Sequence, residues 1–362
     1  FMETESRLVE GSLLLMVAAT VVSTAINWPF PNGLKGFKDV FLQSLIFWVI
    51  YRARFSEHQQ LRLAEIMVLG VIIGIVWGIA DVFLGHRPQL QFHSAGAVSQ
   101  SAIYLGTAVI LVFSVALMAS ESPPPDAALH KRAAIWWVGG TIMIVALFLM
   151  GSRGPLAASL LAMFAVAILA GKKRFILFAA GLVVLSVFIA NVLPDYFIQK
   201  RALTKTQEIL EGHIPLADQE RVSLWRIAIK QVEQGNSLVF GIGPRNYASI
   251  DYTNMKFDPP LKPVVRAVYQ AHNLFLHKLV EEGIVGLFSL LFFFGVMIAR
   301  LLRDRRGGRW RRWQWFSAIG ALTVPIISGL FADPWRQEHG LLAMMLLAIA
   351  LAPSNDRAVA SS

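Results

Sequence analysis

The chain has 362 residues, 56% of them hydrophobic and 15% charged, with a formal net charge of +10 and no cysteine. A soluble domain of this length could not cover so much apolar surface, so the composition excludes an ordinary soluble protein and indicates an all-α polytopic membrane protein. The missing cysteines exclude disulfides and thiolate chemistry, and the positive charge suits Lys and Arg holding cytoplasmic loops better than it suits nucleic acid.

Apolar runs able to cross about 30 Å of hydrocarbon recur along the chain. In order they are Leu8–Ile26, Val40–Tyr51, Leu63–Leu84, Val98–Ala119, Ala133–Met150, Pro155–Ala170, Phe175–Val192, Ile284–Leu302, Phe316–Phe331 and Gly340–Ala352. They predict about ten transmembrane helices, the second short and the sixth marginal. Basic residues cluster in alternate connections: Arg52, Arg54 and Arg62, then Lys131 and Arg132, then Lys172, Lys173 and Arg174. The densest group is Arg300, Arg303, Arg305, Arg306, Arg309, Arg311 and Arg312. These loops share one side, which the positive-inside rule makes cytoplasmic. The opposite side is then the periplasm of an inner membrane.

Residues 194–271 form the one long segment on that opposite side, far beyond an ordinary loop. Within it, Gln199–Leu210 reads as an amphipathic helix. Asp218–Gln234 reads as another, with Val222, Trp225, Ile229 and Val232 near one face and Gly235-Asn236 as its stop. Gly241-Ile242-Gly243-Pro244 is a turn, and Phe257–Pro263 is an extended Pro-rich arm. The expected organisation is membrane helices over 1–193, a loop domain over 194–271, membrane helices over 272–352 and a cytoplasmic tail over 353–362.

Chemistry-bearing residues collect on the loop side. Arg153 stands in Gly-Ser-Arg-Gly-Pro between two apolar runs. A guanidinium and the free N–H groups of a helix start would suit a phosphate there, while an arginine at a membrane edge also simply snorkels. Arg221 and Trp225 lie one helical turn apart, either as a solvated basic face or as a second phosphate ligand. Arg245, after the glycine turn, is a third candidate, and Arg266 a weaker fourth. His272 precedes the last group of spans, and its imidazole can accept a proton near neutral pH; alone it reads equally as a polar cap. His277 is about 140° further round a continuous helix and Glu282 about 15 Å deeper, so neither is expected to partner His272. Lys278 and Glu282 are spaced to pair, and Asp333 reads as part of a turn between spans. No P-loop, HExxH or loop Asp-x-Asp motif is present, so neither a nucleotide, a metal nor any other cofactor is expected.

Taken in order, Gly151-Ser-Arg-Gly154, Arg221-x-x-x-Trp225, Gly241-x-Gly243, His272-Asn273-x-x-Leu276 and Glu282-Gly283-Ile284-x-Gly286 resemble the bacterial O-antigen ligase family, within the O-antigen ligase and polymerase superfamily. The resemblance implies a GT-C-like membrane glycosyltransferase that works without metal. Its donor would be a glycan on undecaprenyl pyrophosphate and its acceptor a sugar hydroxyl of lipid A–core. It implies that His272 is the general base and that Arg153 and Arg221, with Arg245, bind the pyrophosphate. Arg266, Trp225 and Asn273 are expected nearby. Family members carry about twelve spans against about ten here, so two further N-terminal helices are expected. Rival readings are an O-antigen polymerase, a protein O-oligosaccharyltransferase and, from another class, a transporter or flippase. The last would need charged or broken helices near the bilayer midplane, and these spans carry few such charges.

Overall fold

A computed structural model describes residues 2–28, 32–53, 55–87, 90–91, 98–120, 133–171, 177, 180–181, 216–234, 237–261, 270–306, 312–335 and 338–352. Among them all regular structure is helical: α1 (Met2–Ile26), α2 (Gly33–Arg52), α3 (Glu57–Phe83), α4 (Val98–Ala119), α5 (Ala133–Leu149), α6 (Arg153–Leu169), α7 (Leu216–Gln234), α8 (Leu274–Arg306), α9 (Trp313–Ser328) and α10 (Glu338–Leu351). Of these, α1, α3, α4 and α8 are long and apolar enough to cross a membrane, and α5, α6 and α10 are shorter apolar helices. The chain is therefore an all-helical polytopic membrane protein. The expected helix Gln199–Leu210 lies outside the described residues, as does all but 177, 180 and 181 of the expected span Phe175–Val192.

The helices form two compact units. One holds α3 to α6, α9 and α10, with α3, α5, α6 and α9 packed on α4. The most apolar window of α4 is 94% buried, against 33% for that of α3, so α4 is enclosed by protein while α3 keeps a wide apolar face. That face, with Ile66, Leu69, Ile73, Val76 and Trp77 all exposed, is ordinary against lipid and would be untenable in water. Small residues bring the backbones close. A Cβ on Gly106 would lie 2.1 Å from Ser159 Oγ of α6, and one on Gly320 of α9 would lie 2.2 Å from Ile110. Where lipid is as apolar as the side chains, such packing replaces the hydrophobic drive.

The other unit holds α1, most of α2, α7, the 237–261 segment, α8 as far as Arg300 and the 329–338 connection. It has its own apolar core, built on α7. Leu224, Ile227 and Ala228 of α7 pack with Tyr247, Ile250, Ala271 and Val280. The Tyr247 hydroxyl donates to the Leu224 carbonyl at 2.9 Å. The arm at 257–261 is mostly exposed, as the Pro-rich sequence predicts, though Phe257 and Leu261 lean on this core.

One expectation is corrected here. Hydropathy starts the eighth span at Ile284, but α8 starts ten residues earlier, at Leu274, and breaks at Gly283 (φ 69°, ψ −167°). In an unbroken helix the N–H groups of Ile284 and Val285 would bond the carbonyls of Val280 and Glu281. Here Ile284 and Val285 donate instead to Leu238 and Val239, and the Val280 and Glu281 carbonyls accept from Ile242 and Gly243. The 238–243 segment therefore takes over both sides of the opened ladder, and four groups that would each cost about 1–3 kcal/mol if orphaned are satisfied. Glycine is required at the crossing. A Cβ on Gly283 would sit 2.2 Å from the Val239 oxygen, and one on Gly241 (φ 72°) 2.3 Å from the Glu281 backbone. α1 fastens the same junction. Ser23 donates to Phe240 and Glu281 carbonyls at 2.6 and 3.0 Å, and Thr20 donates to the Glu282 carboxylate at 2.9 Å.

Candidate functional site

The segment Gln270–Asn273 closes the space between the α7 core and the first turn of α8. Ala271 is fully buried and anchors it. Asn273 is the N-cap of α8: its Oδ1 accepts from the backbone N–H of Phe275 and of Leu276, both at 3.0 Å. Its Nδ2 donates to the Leu330 carbonyl at 3.3 Å, and the Leu274 N–H donates to Gly329 at 2.7 Å. Among the described residues, the first four N–H groups of α8 are therefore taken by Asn273 and the Gly329 carbonyl. His272 does none of the capping. It is half-buried and its backbone is left-handed (φ 49°), a conformation that costs a non-glycine residue free energy and that clusters at working sites. Its Nδ1 lies 3.2 Å from Nε2 of Gln270.

Because His272 stands outside α8 in this turned conformation, the 140° and 15 Å separations expected for His277 and Glu282 do not apply to it. Those residues build something else: a buried charged cavity one to three turns into α8. Its lining includes Asp39, Arg245, His277, Lys278, Glu281, Glu282, Asp333 and Trp335. Glu281 is its hub. Its carboxylate accepts the backbone N–H of Arg245 at 2.7 Å and of Tyr247 at 3.1 Å, and lies 3.3 Å from Nε2 of His277. The same Nε2 is 3.4 Å from Asp333. Lys278 pairs with Glu282, as the i,i+4 spacing predicts. Asp333 lies in the connection between α9 and α10, as expected, and is buried inside this network. Burial, and then the charge of Glu281, push the Tyr247 phenol well above its ordinary value.

The other candidates fall as follows. Arg245 has a left-handed backbone (φ 60°), and its guanidinium is held by Asp39 through Nε at 3.1 Å and Nη2 at 2.5 Å. Arg221 and Trp225 lie on α7, both half-buried, and the buried indole Nε1 of Trp225 has no hydrogen-bond partner among the described residues. Arg226 is spent on the arm: it donates to the Pro259 carbonyl and stacks over Phe257 at 5.6 Å. Arg153 opens α6 in the other unit, directly after the left-handed Gly151 and the N-cap Ser152, whose side chain makes no capping bond. Pro155 sits in that first turn, as expected. Arg266 lies outside the described residues. One unit thus holds His272, Asn273, Arg221, Trp225 and Arg245, while Arg153 belongs to the other.

Residues 138–291 match the family model described as O-antigen ligase. This stretch is similar to the O-antigen ligase family. It contains Arg153, Arg221, Trp225, Arg245, Arg266, His272 and Asn273, together with the Gly241 and Gly283 crossing. A comparison with curated proteins gives no match. The match supports membership of the O-antigen ligase and polymerase superfamily, whose members are membrane glycosyltransferase-like enzymes. Sequence reading passed over Asp39, Glu281 and Gln270. Only Glu281 carried a local signal, since it is spaced i,i+4 from His277.

Proposed function

We propose that the protein is a GT-C-like O-antigen ligase of the bacterial inner membrane, with its active site on the periplasmic face. It moves a glycan from undecaprenyl pyrophosphate to a sugar hydroxyl of lipid A–core, without metal, cofactor or nucleic acid. The observation that carries this reading is His272. It lies inside the O-antigen ligase match, at the mouth of α8, in a left-handed backbone, and Asn273 has relieved it of the capping role that competed with catalysis.

In this mechanism an imidazole nitrogen of His272 takes the proton of the acceptor hydroxyl as its oxygen attacks the anomeric carbon. The bond from that carbon to the pyrophosphate oxygen breaks, and the electron pair leaves with undecaprenyl pyrophosphate. The leaving group needs neutralisation of its charge rather than a proton, so guanidinium groups suffice and no second carboxylate is required. Attack from the opposite face inverts the anomeric carbon. Arg221 and Arg153 are the proposed pyrophosphate ligands, the latter with the first N–H groups of α6. The unpartnered indole N–H of Trp225, one turn from Arg221, is a fitting further donor to the same oxygens. Arg245 would contribute only by exchanging Asp39.

His272→Ala is expected to lower transfer by at least about 10²-fold while the protein still inserts; near-normal transfer would reject the base. Arg153→Ala and Arg221→Ala should weaken donor binding, with only partial rescue by Lys, which cannot present a planar fork. In cells lacking the gene, loss of glycan on lipid A–core with polyprenyl-linked polymer retained supports a ligase, and loss of the polymer itself would turn the reading to a polymerase.

A further inference from the structure

Gln270 has no role in the reading above, yet its amide meets the imidazole. The contact is Nε2 to Nδ1 at 3.2 Å, and the Gln270 Oε1 is buried with no hydrogen-bond partner among the described residues. As it stands, the amide N–H donates to Nδ1, which puts the proton of a neutral imidazole on Nε2 and leaves that nitrogen unable to accept another. A half-turn of the amide presents Oε1 instead. Nδ1 can then carry the proton and donate it, and Nε2 becomes the base. The turn merely exchanges which end of the amide lacks a partner, so burial is indifferent to it and the needs of the imidazole decide.

We infer that Gln270 is a positioning residue that fixes the His272 tautomer, accepting from Nδ1–H through Oε1 so that Nε2 carries the lone pair that takes the acceptor proton. The inference rests on the proposed role of His272. The local backbone supports it. Ala271, between the two residues, is fully buried, and Asn273, just after them, is pinned by the α8 cap. The pair is therefore built on a segment with little freedom to re-aim, as an orienting partner requires.

The test uses the full-length protein in vesicles with a lipid-linked glycan donor and lipid A–core acceptor. Gln270→Met keeps the length of the side chain and removes the acceptor. It should lower kcat by about 10–100-fold, the usual effect of losing such an orienting bond, with the donor KM within about two-fold of wild type. Gln270→Glu supplies a charged acceptor that favours imidazolium, so the acid limb of kcat/KM should move to higher pH. A purely structural role would lower the amount of folded protein and leave the acid limb in place. An unmoved limb in Gln270→Glu, or near-normal kcat in Gln270→Met, overturns the inference, and either variant decides it if the other fails to insert. Activity retained in His272→Ala would instead overturn the base itself. An inactive His272→Ala beside an indifferent Gln270 would remove only the positioning role.

Discussion

Tyr247 shows what a single buried polar residue does in this fold. It is fully enclosed, its hydroxyl is bonded to Leu224, its backbone N–H donates to the Glu281 carboxylate, and its ring lies 5.3 Å from that of His277. Both the enclosure and the Glu281 charge disfavour phenolate, so the folded state holds this proton above the ordinary value of 10.0. The sign follows from linkage. Below pH 10 folded and unfolded chains bind the proton alike and stability is untouched. Above it the unfolded chain releases the proton while the folded one keeps it, so stability falls as pH rises. A difference absorbance titration of wild type against Tyr247→Phe should therefore show no Tyr247 phenolate at pH 11 until unfolding begins. A phenolate appearing near pH 10 in the folded protein would contradict this. The variant should also lose about 0.5–1.5 kcal/mol with the Leu224 bond. None of this environment is visible locally in the sequence. Tyr247 reads there as one residue after a glycine turn, because the carboxylate beside it comes from a helix 34 residues further on.

At the scale of elements, the broken helix α8 separates what sequence could show from what it could not. Hydropathy finds the apolar stretch after Gly283 because each residue there reports its own preference for lipid. It cannot find the nine helical residues before the break, whose polar side chains are buried against α1, the 238–247 segment and the 329–335 connection. Nor can it find the break, which exists because a distant segment supplies replacement hydrogen bonds. The glycines were legible as a motif but not as a crossing. Their role gives a sharp contrast. Gly283→Ala places a Cβ 2.2 Å from a carbonyl oxygen, at a backbone conformation closed to side chains, and should cost on the order of 3 kcal/mol or more. Gly295→Ala, in the same helix, meets nothing within 4 Å and should be neutral to slightly stabilising. Thermal unfolding in detergent compares the two. Equal midpoints would mean that the crossing does not hold α8 open.

For the whole molecule, the remaining issue is which way the chain is threaded, and α8 ties the two ends of the argument together. His272 and the α7 core lie before its break, while Arg300, Arg303, Arg305 and Arg306 lie at its other end. From Gly283 to Arg300 a helix rises roughly 25 Å at 1.5 Å per residue, close to the hydrocarbon thickness of about 30 Å. The arginines and the candidate base should therefore face opposite aqueous compartments, the arginines on the cytoplasmic side. These 362 residues hold no cysteine, which makes them a ready background for single-cysteine labelling. Lys256→Cys, exposed on the arm that packs with α7, should react with a membrane-impermeant maleimide added from the periplasmic side of intact cells whose outer membrane has been opened. Arg305→Cys, exposed near the end of α8, should react only after the inner membrane is also permeabilised. Labelling of both from one side would mean that α8 does not cross. The reverse pattern would place His272 on the cytoplasmic side and overturn the periplasmic active site of the proposed function.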